Sequence, residues 1–116
     1  MRIYLAVAFI LLLVACKKNQ DPVCSIISPI DGQSFELGET ITISAEAMDP
    51  DGDIDVVWFY VNGVLLGEDL VSPYNYTWLT YKENPGHFTL KVRAYDYDQA
   101  YAEEEIGVDL VSGASQ

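Results

Sequence analysis

Positive charge and histidine are what this chain has least of: Lys and Arg number 6 against 18 Asp and Glu, with a single histidine. The shortage excludes nucleic acid as a partner, because neutralising phosphates takes clustered Lys and Arg. The lone His87, at a strand start after Pro85-Gly86, and two cysteines are too few for zinc, which takes three or four nitrogen or sulfur ligands. Nor do they supply a nucleophile, a base and a group to orient it. No convincing helical period occurs beyond the N-terminus, and there is no internal repeat. Long apolar runs are missing too, with one exception at the start of the chain.

That exception runs from Ile3 to Ala15, just after Arg2. It is shorter than the roughly 20 apolar residues that span a bilayer. A charged start, an apolar stretch and small residues before a cleavage point describe a secretory signal peptide. The closing residues Leu13-Val14-Ala15-Cys16 resemble the lipobox of bacterial lipoproteins. The resemblance implies removal of residues 1–15 and acylation of Cys16. Lys17 stands where an aspartate would resemble the inner-membrane retention signal, which implies the outer membrane, with the domain facing the periplasm. Cys24 is then the remaining thiol. It alternates with Ile26 and has no Lys, Arg or His near it in sequence, so it reads as a small buried hydrophobe.

About a hundred residues remain after cleavage, enough for one small domain. Loss of Arg2 leaves 5 basic and 18 acidic side chains, 5 − 18 = −13. Such a domain does not adsorb to anionic headgroups by itself, so attachment falls to the acyl chains, several of which suffice. The acidity otherwise serves solubility and self-repulsion.

Residues 16–21 comprise the cysteine and a polar tether, and from Pro22 the pattern is β throughout. Val23 to Ile27 is the first expected strand, stopped by Ser28-Pro29 and Asp31-Gly32. From Thr40 to Met48, Ile41, Ile43, Ala45 and Ala47 share one face, and Thr42, Ser44 and Glu46 the other. Asp49-Pro50-Asp51-Gly52-Asp53 breaks the chain. Strands at 54–61 and 64–66 flank Asn62-Gly63, a type I′ hairpin signal. Pro73–Thr80 is a further strand with Tyr74, Tyr76 and Trp78. Phe88, Leu90, Val92 and Ala94 mark the sixth. After a loop at 96–102, Ile106, Val108 and Leu110 mark the seventh, and residues 113–116 read as a disordered tail. About seven short strands at intervals of roughly ten residues imply an all-β fold, a two-sheet sandwich over 22–112.

The succession Ser28-Pro29, Asp31-Gly32, Asp49-Pro50-Asp51-Gly52-Asp53-Ile54, Phe59-Tyr60-Val61-Asn62-Gly63, Gly67, Pro73-Tyr74, Trp78, Gly86 and Asp96 resembles bacterial immunoglobulin-like domains. These are relatives of the polycystic-kidney-disease-type fold, often strung onto secreted glycanases and surface proteins. The resemblance implies an Ig-like sandwich serving as spacer, adhesion module, calcium-stiffened linker or glycan binder. Fold alone does not choose among these roles.

Two constellations carry chemistry. Asp49, Asp51, Asp53 and Asp55 crowd seven residues, with Gly52 allowing a sharp turn, and calcium takes six to eight oxygens. An EF-hand is excluded, since the glycine falls one position early and Tyr60 takes the place of the closing glutamate. In a sandwich, Asp49, Asp51 and Asp53 can meet Asp96 and Asp98 of the later loop in a weak extracellular-type calcium site. The same aspartates equally suit turns that bond their own backbone. The second constellation is aromatic. If Val57 and Phe59 face the core, Trp58 and Tyr60 face outward, as do Lys91, Arg93 and Tyr95 on the sixth strand. Paired, these strands put Trp58, Tyr60, Arg93 and Tyr95 on one open face. Three readings stand: internal cation–π pairing, a protein-docking patch built on Trp, Tyr and Arg, and a sugar platform.

The sequence thus leads to a lipid-anchored, non-catalytic Ig-like module of the bacterial cell envelope that binds a protein partner. The alternative is a glycan-binding accessory lipoprotein, with calcium as the candidate ion. No enzyme is expected: carboxylate pairs such as Asp51 and Asp98 have no room for a substrate cleft between them.

Overall fold

The computed structural model describes residues 18–113. The expected signal peptide, Cys16 and all but the first residue of the expected tail lie outside the described residues. Eight strands form two sheets packed face to face: β1 (Val23–Ser28), β2 (Gln33–Glu36), β3 (Thr40–Met48), β4 (Ile54–Val61), β5 (Val64–Asp69), β6 (Tyr74–Leu79), β7 (Gly86–Asp96) and β8 (Tyr101–Val111). The smaller sheet has the order β1-β3-β6 and the larger β2-β8-β7-β4-β5. This is the all-β sandwich read from the alternation, with one strand more than the seven counted there.

The additional strand is β2, which runs parallel to β8 with Phe35 opposite Leu110. Backbone bonds from Gly32 N–H to the Gly107 carbonyl and from Leu37 N–H to the Val111 carbonyl frame it. β7 and β8 also run closer together than expected. They pair as far as Tyr95 and Tyr101, so the connecting turn is only 97–100 rather than 96–102.

The period-two residues meet between the sheets. Ile41, Ile43 and Ala45 of β3 face Val57 and Phe59 of β4, Phe88, Leu90, Val92 and Ala94 of β7, and Val108 and Leu110 of β8, all buried. Burial of each large side chain contributes about 1.5–3 kcal/mol. From β6, Trp78 packs edge-on against Phe88 at 5.2 Å, and Tyr76 lies against Phe59 at 5.9 Å. Asn62 and Gly63 both adopt positive φ (50° and 80°), as a type I′ turn between β4 and β5 requires.

Strand directions set the two ends of the sandwich. The start of β1 pairs with the end of β3, Val23 opposite Met48, and the start of β4 pairs with the end of β7, Ile54 opposite Asp96. One pole therefore carries the incoming residues 18–22 together with loops 49–53, 70–73 and 97–100. The 62–63 hairpin and loop 80–85 lie at the other.

Candidate functional site

Antiparallel pairing of β4 with β7 sets Trp58 opposite Arg93 and Tyr60 opposite Lys91. Because Val57, Phe59, Val92 and Ala94 turn inward, these four neighbours turn outward. β5 and β8 extend the rows across the sheet: Glu68-Trp58-Arg93-Glu103 in one, Leu65-Tyr60-Lys91-Glu105 in the next. The four residues expected to share a face, Trp58, Tyr60, Arg93 and Tyr95, are thus adjacent.

Arg93 organises them. Its Nε donates to Glu103 Oε1 at 2.7 Å and its Nη1 donates to the Tyr95 hydroxyl at 3.1 Å. The guanidinium lies 4.3 Å from the Tyr101 ring centre, 5.8 Å from that of Tyr60 and 5.9 Å from that of Tyr95. The bond to Tyr95 raises the guanidinium pKa above its ordinary value; partial burial opposes this and Glu103 adds to it, so the charge is permanent. Lys91 Nζ stands 4.8 Å over Tyr60, whose phenol is pushed upward by burial, with Arg93 pulling the other way. Trp58 meets Tyr95 edge-on at 5.0 Å, and its Nε1 donates to Glu68 Oε1 at 3.1 Å. Such exposed cation–π pairs contribute about 0.5–1 kcal/mol each.

Tyr101 completes the cluster, 5.5 Å from Tyr95, and was not among the residues singled out from sequence. Its signal is the alternation Tyr101, Glu103, Glu105, which carries the outward face of β8 into the expected 96–102 loop. Beside Trp58 a cleft of about 210 Å³ is lined by Asp55, Val56, Trp58, Tyr95, Asp96 and Gln99.

The aspartates occupy the N-terminal pole, where Asp49, Asp51 and Asp96 accept hydrogen bonds from neighbouring groups. Buried Asp96 accepts from the Asp98 and Ala100 N–H groups through Oδ1, both at 2.9 Å, and from Asn19 Nδ2 through Oδ2 at 2.9 Å. The Asn19 bond foremost holds the carboxyl below its usual range; burial opposes this, and the Ala100 and Asp98 N–H bonds add to it. Asp51 accepts from the Gln20 N–H at 2.8 Å. Burial and the neighbouring Asp51 raise the Asp49 pKa. Lys18, Asn19 and Gln20 line a shared hollow with Asp51 and Asp98. Among the described residues no three His, Cys, Asp or Glu side chains converge to hold a metal ion. Asp49, Asp51, Asp53, Asp96 and Asp98 share a pole, and N–H donors meet Asp51 and Asp96.

Cys24 is half-buried, its Sγ 3.8 Å from the Val92 carbonyl. Burial, with Glu104 and Glu103 nearby, pushes its thiol up to about 11, which keeps it protonated and unreactive. His87 is exposed and bonds Asp109 at 3.0 Å.

Residues 22–92 match the family described as bacterial Ig domain. The chain belongs to that family. Among solved structures, this bacterial Ig domain is similar to the fibronectin(III)-like modules of Clostridium thermocellum CbhA, at 31% identity and a TM-score of 0.66. That match covers 83% of this chain and 48% of the other, so the chain spans about half of it. The PKD1 domain of Vibrio anguillarum Epp matches over 83% of this chain and 100% of its own, at 16% identity and a TM-score of 0.60. A structure of carbohydrate-binding modules from the β-sandwich superfamily matches over 86% of this chain and 38% of its own, at 20% identity and a TM-score of 0.65. At these identities the last two show a shared fold alone. No curated protein matches this Ig domain.

Proposed function

We propose that this bacterial Ig domain is a non-catalytic interaction module, anchored to the outer membrane by lipid on Cys16, that docks a protein partner on the outer face of β4 and β7. The observation that carries the reading is the Arg93-centred cluster. Trp, Tyr and Arg are the side chains that anchor protein interfaces, and here they form the middle of a face rimmed by Glu68, Glu103 and Glu105. The ring planes favour a protein over a sugar. Trp58 is inclined 63° to Tyr60 and 67° to Tyr95, so the indole lies flat beside neither ring as a platform for successive sugars. Lys91 and Arg93 cover ring faces that a sugar would use.

The glycan reading keeps one specific support, the cleft beside Trp58, where Asp55 and Gln99 offer polar groups to hydroxyls along an indole wall. The similarity to carbohydrate-binding modules is one of fold and adds only that the scaffold accommodates such sites.

Purified protein, together with Trp58→Ala and Arg93→Ala variants, separates the two. Partner capture from envelope extract that is lost in both variants, with a blank soluble-glycan panel, supports the protein reading. A tryptophan fluorescence change on adding oligosaccharide, abolished in Trp58→Ala, supports the glycan reading. Capture unchanged in both variants removes this face.

A further inference from the structure

The N-terminal pole combines three features that no binding role has yet used. The first is its apolar tips. Leu70 and Val71 stand 58% and 71% exposed in one loop and Tyr97 68% exposed in another, while Val23 and Met48 face each other across β1 and β3 at 52% and 62%. Val23 and Met48 share a shallow hollow with Ser72 and Pro73, which joins the β1–β3 corner to the 70–73 loop. The second is where the chain outside the described residues ends. It enters at Lys18, and Asn19 and Gln20 are bonded to Asp96 and Asp51 of this same pole at 2.9 and 2.8 Å. Two bonds hold the described end of the tether against the pole. Cys16 precedes Asn19 by three residues, a reach of about 10 Å at most. The third is charge: Asp21, Asp49, Asp51, Asp53 and Asp98 all belong to this pole.

We infer that this pole is a membrane-docking surface, resting on the zwitterionic phospholipid layer that the N-terminal segment enters, with Leu70, Val71 and Tyr97 reaching into the headgroups. The inference rests on the lipid-anchor reading above. Acyl chains supply the attachment, and the short bonded tether presents the pole to the surface at high effective concentration, so weak apolar contacts suffice. The carboxylates disfavour anionic lipid and pair with the ammonium of phosphatidylethanolamine. Since strands run from pole to pole, docking stands them upright and turns the face of β4 and β7 sideways, along the membrane plane.

The test uses the full lipid-modified chain reconstituted into phosphatidylcholine–phosphatidylethanolamine vesicles that carry a trace of photoactivatable phospholipid. Crosslinks are mapped by mass spectrometry. The expected result is crosslinking at 70–73 and at 97–98, with none at Asn62-Gly63 or 81–84. Leu70→Asp with Val71→Asp lowers the yield at Tyr97 by about tenfold while partition into detergent is unchanged. Substituting phosphatidylglycerol lowers it severalfold; equal yield there would overturn the headgroup choice. Crosslinks spread over both ends of a vesicle-bound chain would overturn the docking and leave the anchor standing. A chain that stays in the aqueous phase would overturn both. The map of the unaltered chain is independent of whether any variant folds.

Discussion

Thr80 is fully buried and its hydroxyl is used twice, donating to the Glu39 carbonyl at 2.8 Å and accepting from the Gly38 N–H at 2.9 Å. Valine fills the same volume and satisfies neither partner. Thr80→Val is therefore expected to cost about 1–3 kcal/mol, seen as a lower denaturant midpoint with an unchanged slope. Asp96 plays the same role at the opposite pole with a charge in place of a hydroxyl. Its folded pKa is lowered, chiefly by Asn19, so its contribution is present above the ordinary carboxylate pKa and disappears as pH falls through the folded value. Amide exchange at Asp98 and Ala100, corrected for the intrinsic rate, should rise as pH drops below about 4. In Asp96→Asn that pH dependence should vanish.

At the scale of strands, the two sheets are tied on one side by Gly67 of β5 and Tyr76 of β6. A Cβ at position 67 would run into the Tyr76 ring, which itself leans on Phe59. Gly67→Ala should push Tyr76 off Phe59, at a cost of about 1–3 kcal/mol read from thermal unfolding. The strands on the other side of this contact were those most legible in sequence. β3, β4, β7 and β8 each have one wet and one dry face, so period two assigns their side chains to faces, and pairing β4 with β7 as in an Ig-like sandwich brings Trp58, Tyr60, Arg93 and Tyr95 together. β2 was not legible: Gln33–Glu36 has one apolar residue, Phe35, and takes its place through backbone bonds to β8. Tyr101 was missed because the turn after Asp96 is tighter than its composition suggests. The aspartates were recognised as a cluster, but no side-chain pattern reveals that the Gln20 N–H falls on Asp51.

Across the whole molecule, acidic groups outnumber basic ones by 18 to 6. Among the described residues two ion pairs are present, His87–Asp109 and Arg93–Glu103, and the first counts only when the imidazole is protonated. Most of the negative charge is therefore uncompensated, and folding concentrates it. Raising NaCl from about 0.01 to about 1 M shortens the screening length from roughly 30 to roughly 3 Å. The melting temperature should rise by several degrees over that range, measured by circular dichroism. A flat response would mean that the carboxylates are spaced widely enough to ignore one another.

One of those carboxylates has a further consequence. Glu104 accepts from the Ile26 N–H. β1 is an edge strand of its sheet, and a bare edge invites another copy to pair with it. A side chain from the facing sheet that takes up an edge donor therefore works as a stopper: it occupies one of the N–H groups along which a second copy would add its own strand.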